Sequence, residues 1–138
     1  MPVTKEFTVF MEDQPGALGK VCRALADRGV NILALQAFPI GGKSVTRIVA
    51  DNPNTAKSVL DSERLTCTEA EVVQVKLPHR PGELARVASR LGEAKININY
   101  AYCGLESATN APLMFFGVTE VAKAAPILEQ AAAAAAKP

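Results

Sequence analysis

Six residues, Asp13-Gln14-Pro15-Gly16-Ala17-Leu18, return in altered form as His79-Arg80-Pro81-Gly82-Glu83-Leu84, an offset of 66 positions from Pro15 to Pro81. Each set follows an alternating apolar run and precedes apolar residues at helical spacing, so each marks a strand that turns sharply into a helix. The start of a helix exposes unpaired N–H groups and the positive end of the macrodipole, and glycine lets a ligand approach that backbone. Gly16-Ala17-Leu18 and Gly82-Glu83-Leu84 are therefore candidate carboxylate holders. Asp13 suits an α-ammonium group, and the Asn31 side chain, which both donates and accepts, suits the rest of a zwitterion. Asn97 is its counterpart, and His79 and Arg80 stand where Asp13 and Gln14 do. A second reading needs no ligand: Pro-Gly is only the turn that opens the helix, and Asn31 satisfies its own backbone.

Other reactive residue types are sparse. One histidine and three cysteines at wide spacing (Cys22, Cys67, Cys103) make no Cys-x-x-Cys pair. His79 with Cys103 falls short of a metal ligand set or a nucleophile with its base, so no metal, no cofactor and no catalytic residue is expected, and the chain reads as non-enzymatic. The cysteines read as reduced thiols, and Cys22 as a small core residue on an apolar helix stripe. Tyr100 and Tyr102 share a strand face, where a pocket lining and a subunit interface explain them equally. Arg47 reads either as a partner for a carboxylate or as an occupant of a wet face, and stays outside the site.

The elements that position these residues follow from periodicity. Glu6 to Met11 alternates, with Phe7, Val9 and Met11 on one face. A helix over Ala17 to Arg28 carries Leu18, Val21, Cys22 and Leu25 at i, i+3, i+4 and i+7, and Gly29 suits its C-terminal cap. A strand over Val30 to Leu35, a tight turn at Gly41-Gly42 and a strand over Val45 to Ala50 form a hairpin. Asn52-Pro53 opens a helix that turns Ala56, Val59 and Leu60 inward, and Leu65 to Ala70 is a fourth strand. With no linker, Glu71 to Leu77 then begins the second copy: a helix over Gly82 to Ala94, strands over Asn97 to Gly104 and Pro112 to Val118, and a helix from about Ala122. The alanine-rich end favours helix, so the second copy has no clear last strand.

The offset that aligns the two Pro-Gly pairs also matches Leu18 with Leu84, Val21 with Val87, Leu25 with Leu91 and Asn31-Ile32 with Asn97-Ile98, which is an internal duplication. Halves of this size are near the lower limit for an independent core. Fifteen basic and fourteen acidic residues, spread along 138 positions for a net charge of +1, provide no stripe for nucleic acid or for an anionic membrane. No apolar run is long enough to span a bilayer and no basic leader precedes an apolar segment, so a cytoplasmic location is expected.

Each half reads as βαββα(β), an α+β ferredoxin-like sandwich with helices on one face of an antiparallel sheet. Division into residues 1–70 and 71–138 is expected. The pattern resembles the ACT domain in both halves: a polar residue two before Pro-Gly, leucine two after the glycine, then Asn-Ile opening the second strand. The whole chain is thus similar to stand-alone tandem ACT proteins. That resemblance implies a small-molecule regulatory module, with an amino acid held between ACT units by the strand-to-helix loop of one and groups near the second strand of its neighbour. The implied ligand residues are Asp13, Gln14, Gly16, Ala17, Leu18 and Asn31, and in the second half His79, Arg80, Gly82, Glu83, Leu84 and Asn97. An enzyme of amino-acid metabolism is the implied protein partner. The alternative is a ligand-free protein–protein interaction module of the same fold, covering an apolar sheet face with a partner. A homodimer is expected, because the missing strand leaves the edge of Glu71 to Leu77 unpaired and Phe10, Phe115 and Phe116 suggest an apolar sheet face.

Overall fold

The computed structural model describes residues 2–135, save the side chain of Ala135. Ten elements follow in order: β1 (Val3–Glu12), α1 (Ala17–Asp27), β2 (Ile32–Ile40), β3 (Lys43–Ala50), α2 (Pro53–Ser62), β4 (Thr66–Lys76), α3 (Glu83–Glu93), β5 (Ile98–Leu105), β6 (Pro112–Val118) and α4 (Val121–Ala135). The chain divides into two compact units, Lys5–Ala70 and a second made of residues 2–4 together with the chain from Glu71 onward. No described helix is long and apolar enough to cross a membrane.

In the first unit β3 is central, antiparallel to β1 with Phe7 opposite Ile48 and to β2 with Leu35 opposite Ile48. Phe7, Val9, Ile48, Val21, Leu25, Val59 and Leu60 form the core between this sheet and its two helices. Burying one such leucine contributes roughly 2 kcal/mol, so the inward stripes of α1 and α2 are what hold them on the sheet. Gly41 and Gly42 have φ of 56° and 84°, the pair of positive values that a two-residue hairpin turn demands. Asn52 caps α2 by accepting the Thr55 N–H at 3.1 Å, with Pro53 at the first helical position.

The second unit repeats the plan. β6 pairs with β4 (Val73 opposite Phe116) and with β5 (Tyr102 opposite Phe115), and Val75, Val87, Leu91, Phe116 and Leu128 form its core. The end of α1 at Gly29 (φ 72°) is matched at Lys95 (φ 60°), and the bonds are the same: Val30 N–H to the Leu25 carbonyl and Ile96 N–H to the Leu91 carbonyl, both at 3.0 Å. Among the described residues no strand follows α4, and Lys137-Pro138 lie outside them.

Several expectations are corrected. β1 and β2 are longer than their alternating cores suggest, and the two strands anticipated over 65–77 are one, β4. The helix stripe is narrower: Val21 and Leu25 are buried, Cys22 is only partly so, and Leu18 is 38% exposed. The edge predicted to be bare is met by the chain's own start, since the Gln74 N–H donates to the Pro2 carbonyl at 2.6 Å and Val3 packs on the second core. Phe116 lies in the helix-side core, and Phe115, which points away from the helices, is fully buried. Of the three phenylalanines read as an apolar face, only Phe10 is exposed.

Candidate functional site

The loops that join β1 to α1 and β4 to α3 are built alike. Gly16 (φ 88°, ψ −14°) and Gly82 (φ 90°, ψ −16°) occupy the cap positions of the two helices in the left-handed region. A side chain there is strained by about 1–2 kcal/mol, although the space around either glycine is open. The backbone turns through the Ala17 N–H to the Gln14 carbonyl (3.2 Å) and, in the second unit, the Glu83 N–H to the Arg80 carbonyl (3.4 Å). The N–H groups of Leu18 and Leu84 point out of the first turn with no intrahelical acceptor, as helix geometry requires.

In the second unit this loop faces the end of the β5–β6 hairpin across a cavity of 540 Å³. His79, Arg80, Gly82, Glu83 and Leu84 line the loop side, and Gly104, Leu105 and Met114 the strand side. The lining is mostly apolar, with Leu77, Pro81 and Leu113 adding to it. Leu84 and Leu105 are 48% and 51% exposed, an unusual position for large aliphatic groups. The volume lies within the roughly 300–1,000 Å³ typical of small-molecule sites.

The charged groups at this cavity are already organised. Glu83, at the first position of α3, accepts from Arg86 Nη2 at 2.9 Å and from Arg80 Nε at 3.1 Å. Those two hydrogen bonds, Arg86 foremost, hold its carboxyl below the ordinary value, as a helix N-terminus also favours. Arg86 further ties α3 to α4 by donating Nη1 to the Ala131 carbonyl at 2.9 Å. Arg80 uses only Nε, so among the described residues its two terminal amino groups keep their donors.

The matching cavity of the first unit is smaller, 240 Å³. Asp13, Gln14, Ala17 and Leu18 line it opposite Phe38, Pro39 and Ser44, while Gly16 does not reach it. Position by position, Phe38 stands where the second unit has Gly104, and its ring carries the Arg47 guanidinium at 5.4 Å. The hairpin is also shorter, two turn residues against the six of 106–111, so the wall it raises is lower.

Asn31 and Asn97 each stand apart from the cavity of their own unit. Each precedes its strand at the end of the sheet remote from the hairpin, since Ile32 pairs with Ala50 whereas Ile40 pairs with Lys43. The Asn31 N–H donates to Asp51 Oδ1 at 2.9 Å, and Asn97 Nδ2 donates to Asn99 Oδ1 at 3.1 Å. Within their own units they are about a strand's length, roughly 25–30 Å, from the loops they were grouped with.

Sequence reasoning missed the strand side of the cavity, above all Gly104, Leu105 and Phe38. The signal was present: the offset that aligns the two Pro-Gly pairs also aligns Phe38 with Gly104, the pair at which the first unit carries the far larger side chain. Cys103 also lines the cavity and is exposed, whereas burial raises the thiol pKa of both Cys22 and Cys67.

The fold is found in known structures. A protein from Bacteroides thetaiotaomicron matches with a TM-score of 0.81 at 24% identity, over 94% of this chain and 88% of that one. The regulatory subunit of aspartate kinase from Thermus thermophilus, in its ligand-free form, matches with a TM-score of 0.63 at 17% identity, over 94% of this chain and 92% of that one. The corresponding subunit from Thermus flavus matches with a TM-score of 0.58 at 17% identity, over 95% of this chain and 97% of that one. No curated protein sequence matches the chain. Residues 6–62, the greater part of the first unit, match the family model of the ACT domain.

Proposed function

We propose that the chain is a non-catalytic regulatory module of two tandem ACT-like units that binds a small molecule of the amino-acid class at its strand-to-helix loops. The observation that carries this reading is the repeated construction. The same positions in both units place a glycine-capped helix start beside a hairpin end and leave a cavity between them, large in the second unit and small in the first. The family match over residues 6–62 and the likeness in fold to regulatory subunits of aspartate kinase support a regulatory role, with an enzyme of amino-acid metabolism as the partner. ACT domains are regulatory ligand-binding modules, and two cavities of common design extend that role to the second unit. The loop residues lining the cavity of the second unit are His79, Arg80, Gly82, Glu83 and Leu84, and those lining the cavity of the first are Asp13, Gln14, Ala17 and Leu18.

A thermal-shift screen of the twenty amino acids against the purified chain tests the reading, because a ligand that binds only the folded state raises the melting temperature. At least one amino acid is expected to raise it in proportion to the logarithm of its concentration. No response from any of them at millimolar concentration would overturn the proposal. A homodimer keeps as its support the exposed Phe10 and Ile40 of the first unit, and sedimentation equilibrium at low micromolar concentration decides it.

A further inference from the structure

We infer that the two cavities are not equivalent: the one in the second unit is the ligand site, and it takes an apolar carboxylic acid without reading the group on its α-carbon. The inference rests on the proposed function and adds to it the site and the class of ligand. Size is the first argument. At 540 Å³ the second cavity accommodates a small organic acid, while at 240 Å³ the first falls below the roughly 300 Å³ at which such sites begin. Phe38 in place of Gly104, with the tight Gly41-Gly42 turn, accounts for the difference.

Chemistry is the second argument. Leu77, Leu84, Leu105, Leu113 and Met114 present an apolar wall, which rewards an aliphatic body and penalises a polar one. At the loop end Arg80 still has two amino groups to donate, and it is oriented by its Nε bond to Glu83, so a carboxylate has a partner. An α-ammonium finds no unengaged carboxylate in the lining. Glu83 is the acidic side chain of the lining, and its carboxylate is occupied by Arg80 and Arg86; where the first unit offers Asp13, this one offers His79. Amino acids with apolar side chains and their nitrogen-free counterparts therefore bind alike, and each methylene added to the body tightens binding about fourfold until the cavity is full.

Titration calorimetry on the full chain with leucine, α-ketoisocaproate, isocaproate, alanine and glutamate tests this. Affinities for the first three are expected within about threefold of one another, and those for alanine and glutamate at least tenfold weaker. Arg80→Ala is expected to weaken all three apolar acids about tenfold, as for loss of a charge-assisted hydrogen bond. Gly104→Phe, which copies the first unit's residue, is expected to abolish binding with the circular dichroism unchanged. Should that variant not fold, Leu105→Asp, at an exposed position, is expected to weaken binding at least tenfold. Leucine binding without either nitrogen-free acid, or binding undiminished in the Gly104 or Leu105 variant, overturns the inference and leaves an amino-acid module standing. Absence of binding by every amino acid and every acid overturns both.

Discussion

Alanine at the two helix caps separates what the duplicated loop does for the fold from what it does for a ligand. Gly16 and Gly82 sit at φ values of 88° and 90°, and a Cβ built on either meets nothing within 4 Å. The cost of Gly16→Ala or Gly82→Ala is therefore backbone strain alone, about 1–2 kcal/mol each, with no overpacking added. The two losses should also agree within about 0.5 kcal/mol, because the backbone angles match and neither added Cβ meets a neighbour. Equilibrium unfolding in urea at fixed pH measures both, with the slope unchanged and only the midpoint moved. Ligand affinity then splits them: Gly82 lines its cavity and Gly16 does not, so only Gly82→Ala places a methyl group in the way. Losses near zero would show that the left-handed caps do not exist in solution. Equal effects of both variants on affinity would show that the loop geometry, and not the second cavity, sets binding.

Four further outcomes follow from particular residues. Lys95 holds the left-handed position that Gly29 holds in the first unit, so Lys95→Gly should stabilise the chain by about 0.5–1 kcal/mol in the same urea assay. A Cβ on Gly117 would lie 2.2 Å from the Tyr100 ring, so Gly117→Ala should destabilise by about 1–3 kcal/mol by overpacking, an effect that Tyr100→Ala added in a double-mutant cycle should relieve. The Glu83 carboxyl is held below the ordinary carboxylate range by Arg86 and Arg80. Its stabilising contribution is therefore present above the pKa of the unfolded chain and is lost as pH falls through the lowered pKa of the folded one, a component of the acid transition that Glu83→Gln should remove. Cys103, exposed and lining the cavity, should react with a thiol reagent before Cys22 and Cys67, and bound ligand should slow it at least fivefold; mass spectrometry of the labelled chain reads both.

The fold was legible because local rules agreed with one another. Alternation at Phe7, Val9 and Met11, the apolar spacing of α1 and α3, the Gly41-Gly42 turn and the Asn52-Pro53 cap each specify geometry over a few residues, and the offset of 66 repeats the alternation and the helix spacing. What failed depended on contacts far apart in sequence. Periodicity cannot show that residues 2–4 lie beside β4, because that pairing joins segments some 70 positions apart. Leu18 and Leu84 fit the helix stripe yet line a cavity, since a 3.6-residue repeat gives the face but not where the neighbouring sheet stops. The loop half of the candidate site was readable from Pro-Gly and its flanks. The strand half was not, because Gly104 and Leu105 carry no motif and matter only through what the hairpin brings opposite them.

The most direct test of the account is an amide chemical-shift titration of the isotopically labelled chain with leucine. The expected result is a set of saturable shifts at Gly82, Glu83, Leu84, Gly104 and Leu105, with the matching amides of the first unit, Gly16 to Leu18 and Phe38, unmoved. Shifts centred instead on Asn31 or Asn97, or equal shifts in both loops, would contradict it.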